Sequence, residues 1–380
     1  MLSSESIRRI DLEVAKYPAD QKQSAVMSAL AIAQDEHGWL SVALMDEVAR
    51  HLGMPPVAVY EVATFYTMYN LKPQGRFKVT ICTNLPCALS GANEAAAHLK
   101  STLGDAIASR FVSAEKLVAD FRSHRVASEI VAFGEAANIA IQLTERALSN
   151  EVITPGKTTL EDVAWWMQDQ LLDRALGSEF DMPSVYVTGP SGIVATSNSR
   201  IIQPGDVMMI DWGVQLMNFG TDVKRVAYVL KPGEVMPPKS IQNAFDKALT
   251  VRDVVKKAIK VGIRADETMK NMDAALKAAG FGVIEFNRPN KDDRTDVVYG
   301  FHPVGNTGHD IGPSLTTWQP LQTTFVMHAQ HMFSFEYFAY TPIAEWGGAK
   351  LRVPIEDDAI LTEAGIQFLH PANYRLLVIK

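Results

Sequence analysis

Four acidic residues and one histidine in the second half of the chain have the types and surroundings of metal ligands. Asp211 ends the apolar run GDVMMID, and Asp222 follows eleven residues later in TDVKR. If the chain folds back at about Leu216–Met217, the two aspartates face each other on antiparallel strands, where facing Cβ atoms lie roughly 4.5–5.5 Å apart. Buried carboxylates at that distance repel each other unless one is protonated or a cation neutralises them. The pair therefore predicts a divalent metal ion.

Three further residues extend the predicted metal site. His309 lies between glycines in TGHDIG, Glu336 lies in the aromatic segment FSFEYF, and Glu356 lies in IEDD. One histidine and four carboxylates suit two ions such as Mn, Co, Zn or Fe. Two ions about 3.5–4 Å apart can activate a bridging water and polarise a carbonyl. Glu336 is then predicted to be the base that moves the proton of that water.

Each of these residues also has a simpler explanation. A single aspartate at the end of a strand is usually a turn former or a solvated charge, and a single histidine is usually a structural residue with a hydrogen bond. Glu336 is harder to explain in this way, because a carboxylate buried among phenylalanines needs a partner. The metal prediction therefore depends on the ordered set of residues and not on one member.

The surrounding pattern predicts the elements that must position these side chains. From Pro183 onward the pattern is typical of strands, and one helical region at 238–280 interrupts them. Thr159 and Asp162 have the spacing of a helix start. The order of helices and strands predicts an α+β fold for the larger part of the chain. Further helices are predicted at 24–34, 41–52, from Pro56, at 91–99 and at 128–149, and a strand is predicted at 76–82.

The motifs IDWG, TDVKR, TGHDIG, FSFE and IEDDA occur in this order along the chain. Over residues 102–380 the chain resembles the pita-bread metallohydrolases, which are methionine aminopeptidase, aminopeptidase P, prolidase and the non-metal relative creatinase. The resemblance extends to bacterial Xaa-Pro aminopeptidases and implies a pita-bread catalytic domain that removes N-terminal residues from peptides. It implies these metal roles: Asp211 on the first ion, Asp222 and Glu356 bridging, and His309 and Glu336 on the second.

Two positions differ from the peptidases of that family. The family has a substrate-binding histidine near Val194, 17 residues before Asp211, and another at the position of Thr316, seven residues after the metal histidine. Because those histidines hydrogen-bond the scissile group in relatives, their absence implies altered chemistry or an altered substrate. His302, in GFHP, is a candidate catalytic substitute. A structural histidine before a proline turn is an equally supported explanation.

Two cysteines, Cys82 and Cys87, are spaced as C-x4-C at a predicted strand-to-helix turn. Thiolates near a helix N-terminus can bind metal, and two neutral buried cysteines are the alternative. Over residues 1–100 the chain resembles the thioredoxin-like 2Fe–2S protein of NADH-quinone oxidoreductase, its E subunit, through PPVAVYEVATFYTMYNLKP and ICTNLPCALSGA. The resemblance implies that Cys82 and Cys87 are cluster ligands. Because the chain has two cysteines and such a cluster needs four, a 2Fe–2S cluster is not expected from one copy.

The two resemblances predict a chain made of two fused gene fragments. Residues 1–100 are predicted to be an incomplete thioredoxin-like domain, 101–126 a junction, and 127–380 the pita-bread domain. The first predicted function is a two-metal aminopeptidase of the Xaa-Pro type. The alternatives are electron transfer or complex assembly through the N-terminal part, and a catalytically silent interaction protein. The predicted partners are a peptide substrate, a second copy of the chain, and respiratory-complex subunits that bind residues 1–100.

Composition limits the remaining functional classes. The 380 residues are 47% hydrophobic and 21% charged, which is typical of a globular protein with a large core. The net charge of −7 argues against nucleic acid or an anionic membrane as the partner. The sequence has no signal-like apolar segment at its start and no run of 18 uncharged apolar residues. A cytoplasmic protein without membrane insertion is therefore expected.

Overall fold

The computed structural model describes residues 1–66, 68–75, 79–83 and 85–380, with the backbone alone at Leu85. These residues form two compact units, Met1–Val112 and Ser113–Lys380. No single helix in the described ranges is long and apolar enough to cross a membrane. The helices Glu115–Ser123 and Ala127–Ala147 are together long and apolar enough to do so by length and composition only, but a bend of 69° separates them.

Helices are the regular secondary structure of the first unit in the residues that the structure describes. Its buried core is formed by side chains that recur at helical spacing, such as Leu44, Val48 and Leu52 on one helix. The helices predicted at 24–34, at 41–52, from Pro56 and at 91–99 are confirmed. The helices are α1 (Ser4–Val14), α2 (Val26–His37), α3 (Val42–Leu52), α4 (Pro56–Phe65), α5 (Leu85–Leu89), α6 (Ala92–Leu103) and α7 (Asp105–Ala108), with a 3₁₀ turn at Lys22–Ala25.

The strand predicted at 76–82 is not part of this helical unit as described. Arg76, Phe77 and Lys78 lie outside the described residues, and residues 79–82 are not in a strand. A strand is stable only when another strand accepts its backbone hydrogen bonds. The described part of the first unit contains no strand that could serve as this partner.

The second unit is built around one large sheet. Its strand order is β3-β2-β4-β7-β12-β11-β9-β8, with β14 beside β7, β13 beside β12 and β10 beside β11, and a small sheet has the order β1-β5-β6. The strands are β1 (Gly177–Ser178), β2 (Ser184–Gly189), β3 (Gly192–Val194), β4 (Val207–Trp212), β5 (Val214–Leu216), β6 (Phe219–Gly220), β7 (Val223–Val229), β8 (Gly282–Val283), β9 (Asp296–Tyr299), β10 (His302–Pro303), β11 (Met332–Pro342), β12 (Lys350–Thr362), β13 (Gly365–Phe368) and β14 (Leu377–Ile379).

Helices cover the apolar surfaces of this sheet. The predicted capping box is confirmed, because Thr159 accepts from the backbone of Asp162 and the Asp162 carboxylate accepts from the backbone of Thr159. Two apolar clusters join the helices to the strands, one through α9 and α10 and the other through α11 and α12. These helices are α8 (Glu115–Ser123), α9 (Ala127–Ala147), α10 (Leu160–Leu172), α11 (Lys239–Ala258) and α12 (Ala265–Ala278).

The hairpin that carries the two aspartates differs from its prediction in register. Leu216 pairs with Phe219, so the turn is Met217–Asn218, where Met217 has a φ of 57°. The predicted turn was one residue earlier. Moving the centre of a turn by one residue moves every facing pair by two residues. Asp211 therefore faces Lys224 and not Asp222, and the prediction that the two aspartates face each other is wrong.

Candidate metal centre

A row of four charged side chains crosses four neighbouring strands of the large sheet. Asp211 on β4 pairs with Lys224 on β7, and Lys224 pairs with Glu356 on β12. Glu356 pairs in turn with Glu336 on β11. Because directly facing residues project to the same side of a sheet, these four side chains meet. Three of the five predicted ligands therefore surround a lysine that the sequence analysis did not include.

The ammonium group of Lys224 forms ion pairs with all three carboxylates. Its Nζ atom lies 3.2 Å from Asp211 Oδ2 and 2.6 Å from Glu336 Oε2. The distance from Nζ to Glu356 Oε2 is 2.5 Å. The other oxygen of Glu356 accepts a hydrogen bond of 2.5 Å from the Ser334 hydroxyl. Lys224 is 5% exposed, so little solvent screens these contacts.

His302 lies close to Asp222 and to the two glutamates. It pairs with Ser334 in the register of β10 and β11 and is buried. The ring atom Nε2 lies 3.7 Å from Asp222 Oδ2 and 3.7 Å from Glu336 Oε1. It is 4.0 Å from Glu356 Oε1. The structure thus places His302 among the predicted ligands, near the glutamate oxygens that do not bind Lys224.

His309 completes the group from a loop. Its side chain is 66% exposed, its ring stacks on that of His302 with centroids 4.1 Å apart, and its Nε2 atom lies 3.9 Å from Asp222 Oδ2. The loop is held on both sides of this histidine. The backbone N–H of Gly308 donates to Glu179, and the buried carboxylate of Asp310 accepts from Arg125. His309 is therefore presented by an anchored segment.

Burial and mutual repulsion determine the ionisation of this cluster. Burial raises the pKa of Asp222 well above its usual value, and the neighbouring Glu356 carboxylate adds to that increase. Burial likewise raises the pKa of Glu356 well above its usual value. Burial alone would lower the pKa of Lys224, but the surrounding carboxylates outweigh it, and the pKa is raised well above its usual value. Burial lowers the pKa of His302 to about 4, which leaves its imidazole neutral and able to bind a cation at neutral pH.

The donor groups of this cluster fit a divalent cation. Three sets of residues bring their ligand atoms within 4.8 Å of one another. In the described part of the chain, the buried oxygens Asp211 Oδ1 and Asp222 Oδ1 have no hydrogen-bond partner. Buried carboxylate oxygens need a partner, and carboxylates with imidazoles suit Zn, Mn, Co or Fe. The sets are Asp222, His302 and His309; His302, Glu336 and Glu356; and Asp211, Asp222 and Glu356.

Four other positions named in the sequence analysis are not part of this cluster. Two of them are the positions of the family's substrate-binding histidines, and two are the cysteines. Val194 is at the end of β3 and is 43% exposed, whereas Thr316 is buried and accepts from the backbone of Trp318. Cys82 and Cys87 belong to the other compact unit, Cys82 in the segment before α5 and Cys87 within it. A hydrogen bond with the Cys82 side chain raises the pKa of the Cys87 thiol.

Two residues of the site, Lys224 and Ser334, were missed by sequence reasoning. Both lie two residues from a predicted ligand, Lys224 after Asp222 and Ser334 before Glu336. Residues two apart on a strand share a face, so this spacing was the signal that could have found them. For Lys224 the signal was present in the motif TDVKR itself.

A buried histidine just before β11 gives the second unit a predicted dependence on pH. His331 is 0% exposed, and its Nε2 atom lies 2.9 Å from the Pro313 carbonyl oxygen. Burial lowers its pKa to about 3, and nearby His328 and Arg125 contribute to the decrease. Below about pH 6.5 His331 is protonated in the unfolded chain but stays neutral in the folded chain. The free energy of unfolding therefore decreases as the pH falls from about 6.5 towards 3.

We expect His331→Gln to remove the contribution of one protonation to the pH dependence of the free energy of unfolding. That contribution lowers the free energy of unfolding by about 1.4 kcal/mol for each pH unit below about 6. Glutamine stays neutral and its amide can still donate to Pro313. Urea unfolding between pH 7 and pH 4.5 measures the slope, and the same replacement at the exposed His98 is the control. An unchanged slope in the His331 variant would contradict the prediction.

Comparison with known proteins places the fold of the second unit in one class, the metallopeptidases with a pita-bread fold. Residues 132–363 match the profile of the metallopeptidase family M24, which covers more than half of the chain. The chain belongs to metallopeptidase family M24. The predicted resemblance of the C-terminal part and the predicted α+β, pita-bread fold are thereby confirmed.

Solved structures of this class have the same fold. An X-Pro aminopeptidase from Thermotoga maritima superposes with a TM-score of 0.53 and 20% identity, over 69% of this chain and 66% of that one. A prolidase from Pyrococcus horikoshii superposes with a TM-score of 0.52 and 20% identity, over 68% of this chain and 67% of that one. A Xaa-Pro dipeptidase from Bacillus anthracis superposes with a TM-score of 0.50 and 22% identity, over 70% of this chain and 66% of that one. At these identities the likeness concerns the fold alone.

The N-terminal part has different relatives. Residues 10–114 match the thioredoxin-like [2Fe-2S] ferredoxin family. An NADH-quinone oxidoreductase E subunit of Rhizobium meliloti is 46% identical over 95 residues, which are 25% of this chain and 55% of that protein. A mitochondrial NADH dehydrogenase flavoprotein 2 of Dictyostelium discoideum is 41% identical over 103 residues, 27% of this chain and 42% of that protein. The chain thus spans about half the length of these curated relatives, and the predicted resemblance is confirmed.

Proposed function

We propose that the second unit is a divalent-metal-dependent hydrolase that removes the N-terminal residue from peptides, with an Xaa-Pro bond as its preferred substrate. The observation that carries the proposal is the cluster of carboxylates and imidazoles, closed by the exposed His309, in a fold of family M24. Asp211, Asp222, His309, Glu336 and Glu356 are the predicted ligands, and His302 joins them. A divalent ion bound there supplies an activated water and polarises the scissile carbonyl.

Glu336 is placed to act as the base in this reaction. Its Oε2 atom is held by Lys224 at 2.6 Å, whereas its Oε1 atom lies 3.7 Å from His302 Nε2 and points towards the candidate ligands. Burial opposes the ionisation of Glu336, but the Lys224 ammonium, His302 and His309 together outweigh burial and lower the pKa of the carboxyl group. An ionised carboxylate in this position can accept the proton of an attacking water.

An aromatic surface beside Glu336 supports a prolyl substrate. Trp318 and Phe286 are 57% and 42% exposed, and their rings meet edge to face at 5.9 Å. Phe286 also meets Phe338 at 5.7 Å, and Phe338 shares the face of Glu336 on β11. Gly300 brings the Trp318 ring close to Glu336, because a Cβ atom at Gly300 would contact both. Exposed aromatic rings bury an apolar ring such as that of proline favourably.

Charge supports recognition of a peptide N-terminus. When a bound cation keeps all four carboxylates ionised, they and the one ammonium carry three net negative charges, and one divalent ion leaves the cluster negative by one charge. A negative, poorly solvated site attracts the α-ammonium group of a peptide. The peptide substrate is part of this proposal, whereas self-association of the chain stays a prediction from the sequence.

The test is hydrolysis of matched Xaa-Pro and Xaa-Ala peptides by the full chain loaded with Mn²⁺, followed by mass spectrometry of the products. We expect release of the N-terminal residue, a preference for the Xaa-Pro peptide, and loss of activity after chelation. We expect Trp318→Ala to raise KM for the Xaa-Pro peptide more than for the Xaa-Ala peptide. Bound metal without cleavage of any peptide would contradict the proposal and favour a catalytically silent interaction protein.

A second function is proposed for residues 1–100, on the basis of their likeness to E subunits of NADH-quinone oxidoreductases. We propose that this part binds a respiratory-complex protein and holds no 2Fe–2S cluster of its own, because Cys82 and Cys87 supply two of the four ligands that the cluster needs. Iron–sulfur absorbance after anaerobic reconstitution of the full chain would contradict the second half of this proposal and favour electron transfer.

A further inference from the structure

The position of Lys224 in the candidate metal centre calls for an explanation. Three of the predicted ligands, Asp211, Glu336 and Glu356, direct one oxygen each at its Nζ atom, at 2.5–3.2 Å. The pairing of β4, β7 and β12 fixes this arrangement, since Lys224 faces Asp211 on one side and Glu356 on the other. The ammonium is therefore part of the sheet's own geometry and is not a surface side chain folded inward.

We propose that the Lys224 ammonium takes the place of one of the two metal ions, so that each chain binds one divalent ion, held by Asp222, His302 and His309. The inference deepens the proposed function and rests on it only in treating these residues as metal ligands. It assigns to His302 the role of a ligand and to Lys224 the role of a permanent internal cation.

Distance excludes an ion from the position of the ammonium. Carboxylate oxygens bind Zn²⁺ or similar ions at about 2.0–2.2 Å. An ion bound by the same oxygens of Asp211, Glu336 and Glu356 would lie in contact with Nζ, and two cations in contact repel strongly where solvent is excluded. The oxygens that hold Lys224 are therefore already satisfied by a positive charge.

The net charge of the cluster also favours one divalent ion per chain. With all groups ionised, four carboxylates and one ammonium carry three net negative charges. One divalent ion reduces this charge to one, whereas two ions would leave a buried net positive charge. Burial of uncompensated charge is costly, and the single negative charge that remains is one that a substrate ammonium can neutralise.

The three donors assigned to the ion lie close to one another. Ligand atoms of Asp222, His302 and His309 lie within 4.8 Å of one another. The Oδ1 atom of Asp222 is buried and has no hydrogen-bond partner in the described residues. Glu336 and Glu356 each turn their second oxygen towards His302, at 3.7 and 4.0 Å, so they connect the ammonium side of the site to the imidazole side.

The test is the metal content of the full chain. Protein is equilibrated with excess Mn²⁺, freed of loosely bound metal, and analysed by inductively coupled plasma mass spectrometry and electron paramagnetic resonance. We expect one equivalent per wild-type chain with an uncoupled Mn²⁺ spectrum. We expect Lys224→Ala, which removes both the charge and the volume, to bind two equivalents with an exchange-coupled spectrum. Lys224→Arg keeps the charge and Lys260→Met replaces an exposed lysine, and both are expected to bind one equivalent.

Two equivalents or a coupled spectrum in the wild-type chain would overturn the inference, even if the alanine variant fails to fold. One equivalent in a folded Lys224→Ala chain would overturn it as well, because the ammonium would then not be what excludes the second ion. No tightly bound metal in the wild-type chain would overturn both the inference and the proposed metal dependence. One equivalent without peptide cleavage would contradict the peptidase proposal alone and support the inference.

Discussion

Replacement of Glu336 by glutamine is expected to lower kcat/KM for an Xaa-Pro peptide by about 10²–10⁴-fold, the usual contribution of a positioned general base. Glutamine has nearly the same shape, but its amide cannot accept the proton of the attacking water. It also cannot form the ion pair with Lys224 that holds the carboxylate in place at 2.6 Å. The measurement is steady-state kinetics across pH, where the acidic limb of the kcat/KM profile should disappear in the variant.

The control for this experiment is Glu363→Gln. Glu363 is exposed in the turn between β12 and β13, so its replacement should leave kcat/KM unchanged. Metal content must be measured in parallel, because Glu336 is also a predicted ligand. If Glu336→Gln keeps its metal and loses less than tenfold in kcat/KM, another group is the base and the assigned role of Glu336 is wrong.

Replacement of Arg225 by methionine is expected to lower the free energy of unfolding of the second unit by about 3–5 kcal/mol, the cost of breaking a buried ion pair from one side. Arg225 follows Lys224 and projects to the opposite face of β7. Its guanidinium lies 2.9 Å from Asp357, and the two side chains are 1% and 0% exposed. The same guanidinium donates to the Pro371 carbonyl oxygen. The variant leaves the Asp357 charge without its cation.

Urea unfolding followed by tryptophan fluorescence measures this loss, because five of the six tryptophans lie in the second unit. The control is Arg264→Met, which removes the exposed pair with Asp266 and should cost less than about 1 kcal/mol. Adding Asp357→Asn to Arg225→Met should recover part of the stability, because the unpaired charge is then gone. A loss below about 1 kcal/mol in Arg225→Met would show that this pair does not stabilise the sheet.

The sequence predicted the elements of the second unit well because their patterns are local. The apolar spacing of 128–149 and the capping pair Thr159 and Asp162 are signals within one helix, and both elements are present. The motif residues Asp222, Glu336 and Glu356 also lie together, as their order along the chain and the family resemblance implied.

What sequence reasoning could not provide was the register. A turn at Met217–Asn218 and a turn at Leu216–Met217 fit the apolar alternation equally well, yet they bring different residues opposite Asp211. The place of Lys224 between Asp211 and Glu356 depends on that choice and on the meeting of β7 with β12. His302 reaches the site through the pairing of β10 with β11, which spacing alone does not reveal.

The row of charges has a consequence for how this sheet assembles. Glu336 and Glu356 face each other when β11 and β12 pair, and like charges that face each other destabilise a hairpin. Asp211 and Lys224 neutralise each other when β4 pairs with β7. The repulsion in the C-terminal hairpin is relieved when Lys224 docks against Glu356, the single facing pair between β7 and β12. Electrostatics therefore favours the joining of two hairpins that lie more than a hundred residues apart in the chain.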